Sequence, residues 1–226
     1  MKETFFSWER FSLMPIVGII RNLSLDEVIQ VAPLYECAGL TTLEITMNTP
    51  NAEDMITYLR KKHSGNLNIG AGTVCTESEL DLALKSGAQF IVTPVINEPV
   101  IRSCIAKKIP VFPGAFTPSE IYNAWRLGAD MIKVFPATSL GPDYIRDLKG
   151  PLSQIKLLPT GGVNLDNSLH FLDAGATGLG LGNQLFVKSF IRQKNWKVLL
   201  AHFSAFVAKV REFKNSKAID VSDASI

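Results

Sequence analysis

The feature that most restricts what this chain can fold into is a repeat of local pattern. Short apolar runs alternate with longer amphipathic ones along its 226 residues. The short runs fall at 16–20, 42–46, 68–73, 90–93, 111–114, 131–135, 155–160 and 178–182, spaced about 20 to 27 residues apart. Between them, 25–38, 51–63, 77–86 and 118–127 carry apolar residues at helical spacing. Strands that alternate with helices build βαβ units, and these stack into a parallel sheet. Several helical stretches also end alike. Ala38-Gly39, Ser86-Gly87-Ala88, Leu127-Gly128-Ala129 and Ala174-Gly175-Ala176 each precede a strand, and glycine suits the left-handed residue that closes a helix. Eight such units predict an α/β chain folded as a (β/α)8 TIM barrel, with an added helix over 3–13. One domain is expected over 1–214, followed by a polar tail at 215–226 that frays. An open flavodoxin-like sheet is the alternative, and it needs fewer strands.

Composition narrows the function classes. The chain is 46% hydrophobic and 19% charged, enough for one large core. Its formal net charge is +2, with no block of like charge, so nothing draws nucleic acid or an anionic membrane. Cys37, Cys75 and Cys104 are odd in number and far apart. They read as reduced thiols in a cytoplasmic protein. The apolar run 11–20 follows Lys2 and Arg10, but Pro15 interrupts it and no small-x-small cleavage site follows. It therefore reads as part of the fold rather than a signal. No apolar run approaches the ~18 residues that span a bilayer.

The stretch Asp130-Met-Ile-Lys-Val-Phe-Pro-Ala137 sets a lysine inside an apolar strand. An unpaired buried ammonium costs several kcal/mol, so Lys133 calls for a chemical reason. Active sites of barrels lie at the C-terminal ends of the strands. Those ends carry Arg21, Glu44 with Thr46, Thr73, Pro94, Pro113-Gly114, Lys133, Thr160-Gly161-Gly162 and Gly182-Asn183. Strand alternation sends Leu43, Ile45, Ile132 and Val134 toward the helices, and Thr42, Glu44, Thr46, Met131, Lys133 and Phe135 inward. Glu44 and Lys133 are thus expected in one cavity. A desolvated lysine has a depressed pKa and attacks carbonyls, and a nearby carboxylate can move protons. The bland reading is a buried structural ion pair. Glycine pairs at the last two strand ends suit a phosphate, or simply a turn of positive φ. Arg21 is placed to clamp a carboxylate or phosphate. Phe135 packs against substrate carbons or fills the interior. Cys75, near the mouth, has no histidine close in sequence. His63, His170 and His202 fall in helical stretches, and no cluster has metal-ligand spacing, so a metal-dependent aldol mechanism is disfavoured.

These phrases, in this order, resemble a known family. The motifs are Leu43-Glu44-Ile45-Thr46, Gly70-Ala71-Gly72-Thr73-Val74, Ile91-Val92-Thr93-Pro94, Phe112-Pro113-Gly114, Lys133-Val134-Phe135-Pro136-Ala137, Pro159-Thr160-Gly161-Gly162-Val163 and Gly180-Leu181-Gly182. They are similar to those of the 2-keto-3-deoxy-6-phosphogluconate and 4-hydroxy-2-oxoglutarate aldolases and their phosphogalactonate relatives. The resemblance implies a cofactor-free class I aldolase, a homotrimeric barrel acting on a keto-acid sugar phosphate. It implies that Lys133 forms a Schiff base and that Glu44 is the general acid/base. Arg21, Thr73, Pro94 and Phe135 would line the pyruvate end, and Thr160, Gly161, Gly162, Gly182 and Asn183 the phosphate end. Two departures bear on the substrate. Asn48 stands where many phosphogluconate members carry arginine, and Met47-Asn48-Thr49-Pro50 looks more like the phosphogalactonate branch. Asn183 stands where serine is usual. The rivals are a phosphate-binding barrel isomerase or decarboxylase, and a sugar-phosphate binder without activity.

Overall fold

A computed structural model describes residues 5–223. Helix α1 (Trp8–Leu13) leads into β1 (Ile16–Ile20), and α2 (Leu25–Cys37) into β2 (Thr42–Thr46). Then follow α3 (Ala52–His63), β3 (Asn68–Gly72), α4 (Glu77–Lys85), β4 (Ile91–Val92), α5 (Glu98–Ala106), β5 (Val111–Phe112) and β6 (Gly114–Ala115). The remainder is α6 (Pro118–Arg126), β7 (Ile132–Val134), a 3-10 turn at Ala137–Ser139, α7 (Gly141–Lys149), β8 (Leu157–Pro159), α8 (Ser168–Asp173), β9 (Leu179–Leu181), α9 (Lys188–Arg192) and α10 (Trp196–Asp223). The expected helix over 3–13 begins at Trp8, and its first two residues lie outside the described ones. The stretch expected as a tail continues α10 as far as Asp223.

Each strand but β6 falls inside an apolar run read from the sequence; β6 extends one residue past the 111–114 run, to Ala115, and the differences have local causes. The 68–73 run stops at Gly72 because Thr73 turns left-handed, with φ of 56°. The 111–114 run is split at Pro113, which has no N–H to give a ladder. The four expected helix-closing glycines, Gly39, Gly87, Gly128 and Gly175, all have φ between 92° and 100°. Ser24, Thr76 and Thr117 open α2, α4 and α6 with full capping boxes.

All strand pairs are parallel. One sheet runs β5-β4-β3-β2-β1-β9, and the other β6-β7-β8. The last strand therefore lies beside the first, which a flavodoxin-like order does not allow. A parallel bridge between Thr160 and Gly180 joins β8 to β9.

Alternation divides the apolar residues between two cores. Leu43, Ile45, Ile132 and Val134 pack outward with helical residues such as Val28, Ile56 and Val207. On the inner side, Val17, Ile19, Phe90, Val92, Phe112, Met131 and Leu158 form a second cluster with Phe6 and Phe11. The Phe6 ring lies 5.2 Å from Phe90 and 4.8 Å from Trp8, edge to face. Two buried amides fix this aromatic plug. Asn68 accepts from the Ser7 N–H at 2.8 Å and donates to its carbonyl at 3.0 Å. Gln89 donates to the Phe5 carbonyl at 3.1 Å. The plug fills the N-terminal end of the strands and leaves the C-terminal end open.

Candidate active site

Lys133 sits at the centre of β7, between Gly114 of β6 and Leu158 of β8. Its neighbours Ile132 and Val134 are committed to the outer core, so its own side chain goes inward. It is 2% exposed and lines a cavity of about 280 Å³. Its ammonium nitrogen stands 5.0 Å from the centroid of the Phe135 ring. Burial pushes its pKa down, as does the charge of Arg21, while Glu44 opposes the shift.

Glu44 occupies the centre of β2 beside Ile19 and Gly70; it is fully buried and, contrary to the expectation of one shared cavity, does not line the Lys133 cavity, although its charge acts on Lys133. Neither carboxylate oxygen has a hydrogen-bond partner among the described residues, so no closed ion pair with Lys133 forms. Burial pushes the Glu44 pKa up, against the pull of Lys133 and Arg21. Both groups are thus driven toward their uncharged forms by the same desolvation. An uncharged amine is a nucleophile, and a carboxyl raised above its usual range can take up and give back a proton.

The carboxyl of Glu44 has its place because of a glycine. A Cβ built on Gly72 of β3 would fall 1.5 Å from Glu44 Oε1. Any side chain there would evict the carboxyl. This dependence is invisible in sequence, where Gly72 reads only as part of a strand.

Arg21 follows β1 and reaches the same cavity. Its guanidinium donates to Thr73 Oγ1 at 3.3 Å, which brings Thr73 into the site through Arg21. Phe135 forms one wall. Pro94 does not line this cavity. It lines a second one of about 260 Å³ that shares Phe135 with the first, with Val95 and Phe116.

The far end of the cavity is formed by Thr160, Gly161 and Gly162 from the end of β8, and by Gly182 and Asn183 from the end of β9. Gly161 and Gly162 have φ of 90° and 73°, which a side chain would strain. Among the described residues neither N–H is used in a hydrogen bond. Consecutive free N–H groups in such a turn make an anion cradle. Gln184 also lines this end. Its signal in the sequence is its place directly after the Gly182-Asn183 turn. Its carbonyl lies 2.8 Å from His202 Nε2.

Cys75 stays a protonated thiol, pushed up by burial and by Glu79. Among the described residues, no group of three or more His, Cys, Asp or Glu is placed to hold a metal ion, and no helix is long and apolar enough to cross a membrane.

Comparison with known proteins agrees with this geometry. The family model for KDPG and KHG aldolases matches residues 8–201. The chain is 36% identical to the 2-dehydro-3-deoxy-6-phosphogalactonate aldolase of Escherichia coli strain K12, over 76% of this chain and 85% of that one. It is 35% identical to the 2-dehydro-3-deoxy-phosphogluconate aldolase of Haemophilus influenzae, over 83% and 89%. A crystal structure of the KDPG aldolase of Legionella pneumophila, with pyruvate captured as a covalent carbinolamine, superposes with a TM-score of 0.81 at 26% identity, over 87% of this chain and 96% of that one. The matched span takes in Lys133, Glu44 and the glycine turn at Gly161 and Gly162: this protein belongs to the KDPG and KHG aldolase family, and is a class I aldolase, a carbon–carbon lyase.

Proposed function

We propose that the chain cleaves 2-keto-3-deoxy-6-phosphogluconate to pyruvate and glyceraldehyde 3-phosphate. The observation that carries this is Lys133, 2% exposed, with its pKa lowered, on the wall of a cavity whose far end is an uncharged anion cradle. The neutral Lys133 amine attacks C2 of the keto acid to give a carbinolamine. Loss of water gives an iminium, which withdraws electrons from the C3–C4 bond. Glu44, directly or through a water, takes the proton of the C4 hydroxyl. The bond breaks, the aldehyde leaves, and its electron pair remains as an enamine on the lysine. Protonation at C3 and hydrolysis release pyruvate and restore the amine. Arg21 holds the carboxylate, with Thr73 steadying it. Phe135 packs on the carbon chain, Pro94 supports that wall from behind, and Thr160, Gly161, Gly162, Gly182 and Asn183 hold the phosphate.

Asn48 favours a second reading, with the phosphogalactonate epimer as the substrate. The two relatives named above, 36% and 35% identical, carry one substrate name each. The same lysine chemistry would also split 4-hydroxy-2-oxoglutarate into pyruvate and glyoxylate. Measuring pyruvate release from all three compounds tests the proposal. It expects the phosphogluconate to have the highest kcat/KM. A higher value for the phosphogalactonate would shift the assignment to that branch, and no pyruvate from any would end it.

We read the two sheets as one closed (β/α)8 barrel with α1 as the added helix. The strand broken at Pro113 and the Thr160–Gly180 bridge are its two seams, which supports that reading. A cytoplasmic homotrimer is proposed as well. It is supported by the exposed apolar side chains Val95, Phe116, Tyr122 and Trp125 around α6, a face that another copy can cover. The mass of the protein in solution tests it.

A further inference from the structure

The loop ends of β1 and β2 are tied by a hydroxyl pair that the chemistry above does not use. A backbone turn, with Thr49 N–H donating to the Thr46 carbonyl at 2.9 Å, folds Thr49 back over the end of β2. The two hydroxyls then lie 2.9 Å apart. Both residues are buried, Thr49 at 3% exposure and Thr46 at 0%. Thr49 Oγ1 also accepts the N–H of Asn22 at 3.1 Å. That acceptance uses one lone pair of Thr49 and leaves either hydroxyl able to donate to the other.

Asn22 is the residue after Arg21, and its φ is 56°. Thr73, which receives the Arg21 guanidinium, has φ of 56° as well. Each end of the Arg21–Thr73 contact therefore rests on a non-glycine residue in the left-handed region, a conformation that persists only where its surroundings fix it. At the Asn22 end, the contact that fixes it is Thr49.

We infer that Thr49 is a positioning residue for Arg21: its hydroxyl holds Asn22 left-handed and so aims the guanidinium at a carboxylate bound over Lys133. This rests on the proposed role of Lys133 and Arg21. Thr49 touches no reacting atom, so its loss weakens binding of a carboxylate-bearing ketone and leaves the amine chemistry alone.

The test is reductive trapping on Lys133 with pyruvate and with acetone, a ketone that lacks the carboxylate, in Thr49→Val and Thr49→Ser. The valine keeps the shape and removes the hydroxyl. Its half-saturating pyruvate concentration is expected to rise about tenfold, the scale of one lost buried hydrogen bond, while acetone trapping is unchanged. Serine restores the hydroxyl and the affinity. In an Arg21→Ala background, Thr49→Val should add nothing further, because the two act as a unit. Unchanged pyruvate saturation in Thr49→Val, or equal weakening toward both ketones, overturns the inference. If Thr49→Val does not fold, Thr49→Ala, which removes the same acceptor of the Asn22 N–H with a smaller side chain, is read in the same way. A wild-type protein that traps neither ketone overturns the Lys133 reading itself, a separate outcome.

Discussion

Two residues apart on one strand run, Met131 and Lys133 point to the same inner side and meet opposite fates. Met131 joins the aromatic cluster of Phe90, Phe112 and Phe6. Lys133 opens onto a polar cavity. The same change occurs between Val17 and Arg21, and between Leu158 and Thr160. At the N-terminal end of the strands the inner side is close-packed, and its buried amides are satisfied by the plug. At the C-terminal end it contains a carboxyl without a hydrogen-bond partner among the described residues and a desolvated amine. One end supplies cohesion. The other holds groups in states that cost stability, and the division lets chemistry sit on a rigid base.

The comparison breaks most visibly at Lys133. Lys133→Met should abolish trapping with pyruvate and lower turnover by at least about 10⁴-fold, beyond the usual loss of a general base. Its melting temperature should hold or rise, because a buried amine is replaced by an apolar chain. Phe112→Ala should do the reverse. Truncating a buried aromatic costs about 3–5 kcal/mol, seen as a lower denaturation midpoint, while the folded protein still traps pyruvate. If Lys133→Met destabilised the fold as much as Phe112→Ala, the two ends would not differ as claimed.

Next in size is Glu44. Glu44→Gln should slow turnover by roughly 10²-fold or more and leave imine trapping in place. Gly72→Ala should imitate it, because the new methyl takes the position of Oε1. A Gly72→Ala enzyme with near-normal turnover would show that the carboxyl is not needed where it lies.

The smallest effect is on pH dependence. Burial puts the Lys133 pKa below the ordinary lysine value of 10.5. The neutral amine then accumulates earlier, so trapping should reach half its maximal rate at a pH below 10.5. Between the folded value and 10.5 the unfolded chain binds the extra proton. Stability relative to Lys133→Met should therefore rise with pH across that window. A flat difference would mean Lys133 titrates normally.

Much of this was legible in the sequence, for reasons that differ by residue. Every strand overlaps a run whose apolar residues stand out because both faces of a parallel sheet are buried. Lys133 was visible because it interrupts such a run, and Glu44 because it shares the inward parity. Strand ends were less legible, because a proline or a left-handed threonine sets them locally. The dependence of Glu44 on Gly72 could not be read, because it joins residues of adjacent strands by the space between them. The tie from Thr49 to Asn22 spans 27 residues and was hidden for the same reason. The motif groups Pro94 with the pyruvate end, yet Pro94 lines a second cavity that shares Phe135 with the Lys133 cavity. The plug is not legible because the expected helix over 3–13 takes in Phe6, whereas the helix begins at Trp8 and the Phe6 ring meets Phe90 and Phe112.

The most direct measurement is to incubate the protein with pyruvate and borohydride, record the intact mass and map the modified peptide. One reduced pyruvyl adduct on Lys133, absent in Lys133→Met, is the predicted result. A folded protein that gains no adduct, or gains it at another lysine, would contradict the assignment of Lys133 as the nucleophile.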